Sequence, residues 1–158
     1  MARTVLRFES RLASPRDEVW AWAVSVDGVL AEMWPLARMT LPAGARTLIA
    51  DDVELGKPLA RSWLLLFGVL PVDRTDLTLV EYESGRRFLE RSPMLGMRLW
   101  QHERTIDGDA DATTLTDELT FEPRVAAPLV GRFVDVFFTH RHAVLRRRFG
   151  ENPRGDAA

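Results

Sequence analysis

The chain has 158 residues, with 21 Lys and Arg against 23 Asp and Glu and no cysteine. That length suits one domain. The lack of cysteine excludes a disulfide framework, a thiolate zinc site and a cysteine nucleophile. A net charge of -2 is not the basic excess of a nucleic-acid binder. Arg7 and Glu9 break any apolar signal-peptide core, and no run reaches the ~20 apolar residues of a membrane span. A soluble, cytoplasmic protein is expected.

Residues 4–12 alternate, with Leu6, Phe8, Ser10 and Leu12 on one face, which predicts a half-buried strand. Ser14 then caps a helix with Pro15 in its first turn and Asp17 and Glu18 near its positive end. Val19, Trp20, Ala23 and Val24 give that helix its apolar stripe, and Asp27-Gly28 breaks it. A second short helix runs to Trp34, where Pro35 stops it. Residues 36–41 predict a short strand, and 42–58, with Pro42, Gly44, Gly56 and Pro58, a long acidic loop. Strands follow near 59–70, 76–83, 86–94, 98–107 and 113–121. Turns are expected at Pro71-Val72-Asp73-Arg74, Ser84-Gly85, Leu95-Gly96 and Asp107-Gly108. Strands so close in sequence pair as an antiparallel meander. Residues 129–149 predict a long amphipathic helix closed by Gly150, with Leu129, Val130, Phe133, Val134, Phe137, Val144 and Leu145 on one broad face.

The expected fold class is α+β: a seven-stranded curved antiparallel sheet wrapped around a long C-terminal helix, with two short helices after the first strand. Residues 1–150 form one domain and 151–158 a tail. This order resembles the helix-grip fold of the START and birch-pollen-allergen superfamily, also called SRPBCC. The resemblance rests on Phe8-Glu9-Ser10-Arg11-Leu12 with Ser14-Pro15-Arg16-Asp17-Glu18-Val19-Trp20, on Gly85-Arg86-Arg87-Phe88-Leu89-Glu90, and on Trp100-Gln101-His102-Glu103-Arg104 with Thr113-Thr114-Leu115-Thr116-Asp117. Phe137-Phe138-Thr139-His140-Arg141-His142 with Leu145-Arg146-Arg147 is similar to the closing helix of some bacterial members. The resemblance implies a hydrophobic cavity between sheet and long helix. Members bind lipids, sterols, polyketides or plant hormones; others are cyclases or chaperone-associated, so fold does not settle function.

Strand alternation places four polar residues on the inner face. Trp100, His102, Arg104 and Ile106 share one side of 98–107, Asp117 lies among Leu115, Leu119 and Phe121, and Glu90 and Ser92 share a side with Phe88. An outer-face pair of Arg87 with Glu103 supports that assignment. Helix geometry adds Arg141, about 40° from Phe137. It puts His140 near the apolar stripe and points His142 away. One reading is a ligand-orienting or acid–base cluster in a cavity. The other is a buried salt-bridge network, Arg104 with Asp117 and Arg141 with Glu90, that fixes register. Arg141 is expected to meet Glu90, Asp117 or an acidic ligand group, because an unpaired buried guanidinium is costly.

Other patterns carry less. Helical residues two apart point about 200° apart, so His140 and His142 cannot chelate one ion. Asp107, Asp109 and Asp111 have calcium-loop spacing, but Ala112 stands where that loop needs glycine. No nucleophile elbow, phosphate loop or dinucleotide fingerprint is present. Of the tryptophans, Trp20 and Trp34 are expected in the core and Trp63 and Trp100 on inner faces. The expected ligand-binding set is Trp63, Phe67, Phe88, Glu90, Trp100, His102, Arg104, Asp117, Phe133, Phe137 and Arg141, with no metal and no cofactor. The expected function is binding of a small hydrophobic or amphipathic molecule by a monomer or homodimer. A cyclase, dehydratase or hydrolase using His102 with Asp117 or Glu90 is one alternative. An interaction module with an apolar patch around 42–58 is another.

Overall fold

The computed structural model describes residues 2–152. In chain order the elements are β1 (Thr4–Leu12), α1 (Arg16–Ala23), α2 (Val26–Met33), β2 (Ala37–Met39), β3 (Pro58–Leu66), β4 (Leu70–Glu83), β5 (Arg87–Arg91), β6 (Met97–Gly108), β7 (Thr113–Pro123) and α3 (Ala127–Phe149). The strands form one seven-stranded antiparallel sheet in the order β1-β7-β6-β5-β4-β3-β2. It is a curved half-barrel with α3 along its concave side, the helix-grip architecture expected from the sequence. No helix among the described residues is long and apolar enough to cross a membrane.

The inner face follows the predicted alternation. Leu12, Leu79, Phe88, Ile106 and Leu115 pack with Val19, Trp20 and Ala23 of α1 and Leu145 of α3. Leu119 and Phe121 pack with Val134 and Phe138. The outer pair is present, with Arg87 Nη2 donating to Glu103 Oε2 at 2.9 Å. The loop at 42–58 is not a surface appendage, since it contributes Leu48, Ile49 and Val53 to the main core.

Several local expectations are corrected. The turn predicted at Pro71–Arg74 lies inside β4. The chain reverses earlier, at Phe67 and Gly68, both with positive φ. Pro71 is tolerated because it pairs with Leu65 beside a register shift, where the ladder is already irregular. Strand β5 stops at Arg91, short of the predicted 94, because Pro93 follows. Ser14 does not cap α1; its hydroxyl donates to the Phe149 carbonyl at the end of α3. Gly28 does not break a helix but lies within α2, capped by Ser25. A Cβ there would sit 2.0 Å from the Trp22 carbonyl oxygen, so glycine lets α1 and α2 meet. Of the expected tail, Glu151 and Asn152 run beside β1, and 153–158 lie outside the described residues.

The largest correction concerns the buried face of α3. Val134, Phe138, Arg141, His142 and Leu145 are buried, whereas Leu129 is exposed and Phe133 is 37% exposed. Val134, Arg141 and Leu145 are buried as expected, but the centre of the buried face is turned by roughly 80° toward Phe138 and His142. Apolar residues occur on both sides of the helix, and its orientation is set by partners that Arg141 and His142 find on other elements.

Topology sorts the connections to two ends. The α2–β2, β3–β4, β5–β6 and β7–α3 connections lie at one end of the half-barrel, while β1–α1, β4–β5 and β6–β7 lie at the other.

Candidate functional site

The concave face carries a chain of charged side chains that links four elements. Asp117 of β7 is fully buried. Its Oδ1 accepts from His102 Nε2 at 2.7 Å and Arg104 Nε at 2.8 Å, and its Oδ2 from Arg104 Nη2 at 2.8 Å and His142 Nε2 at 2.9 Å. Four donors fill all the lone-pair sites of a carboxylate. The register makes this possible, because Arg104 and Asp117 are direct cross-strand partners on β6 and β7, with His102 two residues away on the same face.

Arg104 bridges from Asp117 to Glu32 of α2. Its Nη2 donates to Glu32 Oε1 at 2.9 Å and its Nη1 to Oε2 at 3.3 Å. Glu32 also accepts from Trp22 Nε1 at 3.0 Å and Arg141 Nε at 3.3 Å. Arg141 lies over the Phe138 ring, 4.9 Å from its centroid, and 5.8 Å from that of Phe137. On the other flank, Ser10 Oγ accepts from Arg146 Nη1 at 3.1 Å and lies 2.7 Å from His142 Nδ1. The Asp117 carboxylate can only accept, so His142 Nε2 carries a hydrogen directed at it.

Burial would raise the Asp117 carboxyl, but the Arg104 guanidinium and His102 hold it well below the usual carboxylate range. Glu32 is likewise pushed up by burial and pulled below its ordinary value by Arg104 and Arg141. Burial would lower His102; Asp117 beside it, with the Glu90 carboxylate on its other side, raises it instead. Its Nδ1 is 3.6 Å from Glu90 Oε2, so the ring lies between two carboxylates. Arg141 is lowered by burial, against the pull of Glu32.

The structure therefore assembles His102, Arg104, Asp117 and Arg141 as expected, with Glu90 at the margin. Glu90 is not the partner of Arg141; its Oε1 accepts from Ser92 Oγ at 2.6 Å, and Arg141 turns to Glu32. Phe88 and Trp100 lie on the inner side, Phe88 edge-on to His102 and Trp100 against Phe121 and Phe138. Phe137 packs with Leu64 against Val29, Met33 and Ala37. Three expected members fall elsewhere. Trp63 is 44% exposed on the outer face beside Arg74, because β3 turns Ser62 and the partly buried Leu64 inward instead. Phe67 sits 60% exposed in the β3–β4 turn, and Phe133 lies on the outward side of α3. Trp34, expected in the core, is 55% exposed at the end of α2.

Two members of the network were not anticipated. Glu32 shares a helix face with Gly28 and Val29, both buried, so the spacing in α2 contained a signal for it. His142 lies one turn from Phe138 and from Leu145, and only the shifted phase of α3 exposes that relation. His140 makes a separate contact, donating from Nε2 to the Trp34 carbonyl at 2.7 Å. The acidic hairpin at 107–112 is closed by Asp109, whose Oδ1 accepts from the Asp111 and Ala112 amides.

Nearer the β3–β4 end, the inner face carries a second polar feature. Ser62 and Thr75 are direct cross-strand partners on β3 and β4, and both are buried. Neither hydroxyl has a hydrogen-bond partner among the described residues. Two open hollows lie away from this face. One of about 250 Å³ is lined by residues including Glu9, Asp107 and Thr114, and one of about 150 Å³ by residues including Arg7, Glu103 and Glu118. Both are open and lie on the convex side.

The fold recurs in solved structures. Protein CV1439 from Chromobacterium violaceum aligns with a TM-score of 0.66 and 12% identity over 94% of this chain and 99% of that one. A START superfamily protein from Mycobacterium smegmatis aligns with a TM-score of 0.60 and 12% identity over 92% and 96%. DynU16, from the dynemicin biosynthetic locus, aligns with a TM-score of 0.54 and 22% identity over 93% of this chain and 48% of that one. These likenesses identify a START-like helix-grip fold. Comparison with the curated proteins finds no match. Residues 10–149 match the family model described as a domain of unknown function, DUF8410, and the chain belongs to that family.

Proposed function

We propose that this protein binds a small amphipathic molecule between the concave face of β3–β5 and α3. The observation that carries the reading is the pair Ser62 and Thr75. A buried hydroxyl without a partner costs about 1–3 kcal/mol, and here two stand side by side on the concave face. A ligand hydroxyl, carbonyl or carboxylate would satisfy both. Arg141 has donors beyond those it gives to Glu32, and Phe137 and Leu64 supply an apolar wall. The START-like neighbours are consistent with small-molecule binding. In the closed arrangement described, α3 rests against β1 and α2, so a ligand would enter by parting α3 from the β3–β4 side.

The acid–base alternative has less support. Asp117 has no lone pair left for a substrate, and both nitrogens of His102 face carboxylates while Phe88 and Phe138 close over its ring. These groups are built as a saturated structural network rather than a poised pair.

The test is Thr75→Val with Ser62→Ala. Gently purified protein is examined by native mass spectrometry for a retained molecule, and anilinonaphthalenesulfonate, an apolar body with one anionic group, serves as the probe. The reading expects unchanged or increased stability, by up to about 1–3 kcal/mol, together with at least tenfold weaker capture. Equal capture by variant and parent would overturn it.

A further inference from the structure

The end of the half-barrel that gathers the α2–β2, β3–β4, β5–β6 and β7–α3 connections is apolar at its tips. Phe67, Val69 and Leu70 project from the β3–β4 turn, Leu95 from the β5–β6 connection, and Val125 and Leu129 from the start of α3, all exposed. The Trp34 ring braces this surface from α2, with Gly68 stacked so close that a Cβ there would meet it at 2.8 Å. The turn is thus a backed projection. These residues project from three separate connections of the half-barrel, and exposed apolar side chains flanked by cations suit insertion into a lipid interface.

Charge is distributed to match. Residues 34–39, 66–74, 92–98 and 122–136 contain five arginines, Arg38, Arg74, Arg98, Arg124 and Arg132, against three carboxylates. Asp73 among the latter is turned inward to accept from the Arg74 and Gly96 amides, and Glu122 lies 3.8 Å from Arg98. The opposite end carries the exposed Asp51, Asp52, Glu83, Asp107, Asp109 and Asp111, together with Arg86 and with Arg146, Arg147 and Arg148 in the last turn of α3, so acids and cations are mixed there. An anionic surface would attract the apolar end, where exposed apolar tips and an excess of arginines coincide.

We infer that this end docks on an anionic lipid surface, with the Phe67–Leu70 turn, Leu95 and Leu129 entering the headgroup–acyl boundary and the neighbouring arginines meeting the headgroups. The inference concerns the outer tips and does not depend on what occupies the interior.

Co-sedimentation with vesicles tests it. Vesicles of phosphatidylcholine with about one-third phosphatidylglycerol should retain the protein, with retention falling as salt rises, and pure phosphatidylcholine should retain far less. Val69→Asp combined with Leu129→Asp should weaken retention at least tenfold while the circular dichroism spectrum is unchanged. Should that variant not fold, the absence of native cysteine allows a second readout: a dye on a single cysteine at position 69 should shift to the blue on anionic vesicles, and one at position 111 should not. No retention on anionic vesicles, retention indifferent to the double substitution, or equal dye shifts at both positions would overturn the inference. So would a protein dimer that the same substitutions dissociate, since the apolar end would then belong to a second copy.

Discussion

Replacing Arg104 by Met tests whether the ionic chain on the concave face is the keystone of the fold. The side chain is 1% exposed and gives two donors to Asp117 and two to Glu32, both fully buried carboxylates. Methionine keeps much of the volume but removes the only cation among the described residues that touches both acids. Asp117 would keep its two histidine donors, and Glu32 would keep Trp22 and Arg141. Breaking a buried pair from one side costs about 3–5 kcal/mol. Domains of this size have about 5–15 kcal/mol in total, so the midpoint of thermal unfolding should fall by roughly 6–20 °C. The loss should also depend on pH. Without Arg104 the two carboxyls rise toward protonation, and a neutral acid tolerates burial better than an anion. Urea unfolding followed by tryptophan fluorescence at pH 7.5 and pH 5 should therefore show a smaller penalty at pH 5. A core truncation such as Leu119→Ala, in contrast, should cost about 2–5 kcal/mol with little dependence on pH. A penalty for Arg104→Met below about 1 kcal/mol, or one equal at both pH values, would refute the reasoning.

Arg141→Met should cost only about 1–2 kcal/mol, because Glu32 retains Arg104 and Trp22; a loss as large as that of Arg104→Met, measured by the same unfolding, would mean Arg141 is not the peripheral member. His102 is raised above its usual value of about 6.5, so its contribution to stability is present below that pH and lost as pH rises through the raised value. Asp117 is lowered, so its contribution is present above about pH 4 and lost as pH falls through its depressed value. The melting temperature should thus peak between about pH 4 and 6.5, and His102→Gln should flatten the alkaline limb; a profile with that limb intact would contradict the assignment. Gly28→Ala should lower stability by about 1–3 kcal/mol through overpacking, despite alanine's better helix propensity. A gain in stability on denaturant titration would show that α1 and α2 do not meet there as closely as described.

What the sequence determined by itself was whatever depends on local period. Alternation along 98–107 and 113–121 was enough to turn His102, Arg104 and Asp117 inward and Glu103 outward beside Arg87, because a strand has only two faces and the apolar residues mark one of them. The order of strand, short helices, meander and long helix was enough to define the helix-grip class. The β3–β4 turn was misplaced because Pro71 reads as a turn signal locally but is accommodated by a register shift visible only once β3 is paired. The phase of α3 was misplaced for a related reason. A 23-residue helix with apolar residues on two sides has several candidate buried faces. The choice among them is made by Asp117 and Glu32, which give His142 and Arg141 partners inside the fold. Glu32 lies 72 residues from Arg104 and 109 from Arg141. A pairing over such distances is decided by packing, since the cost of burying each charge is offset only when the folded chain brings its counter-charge within hydrogen-bonding reach.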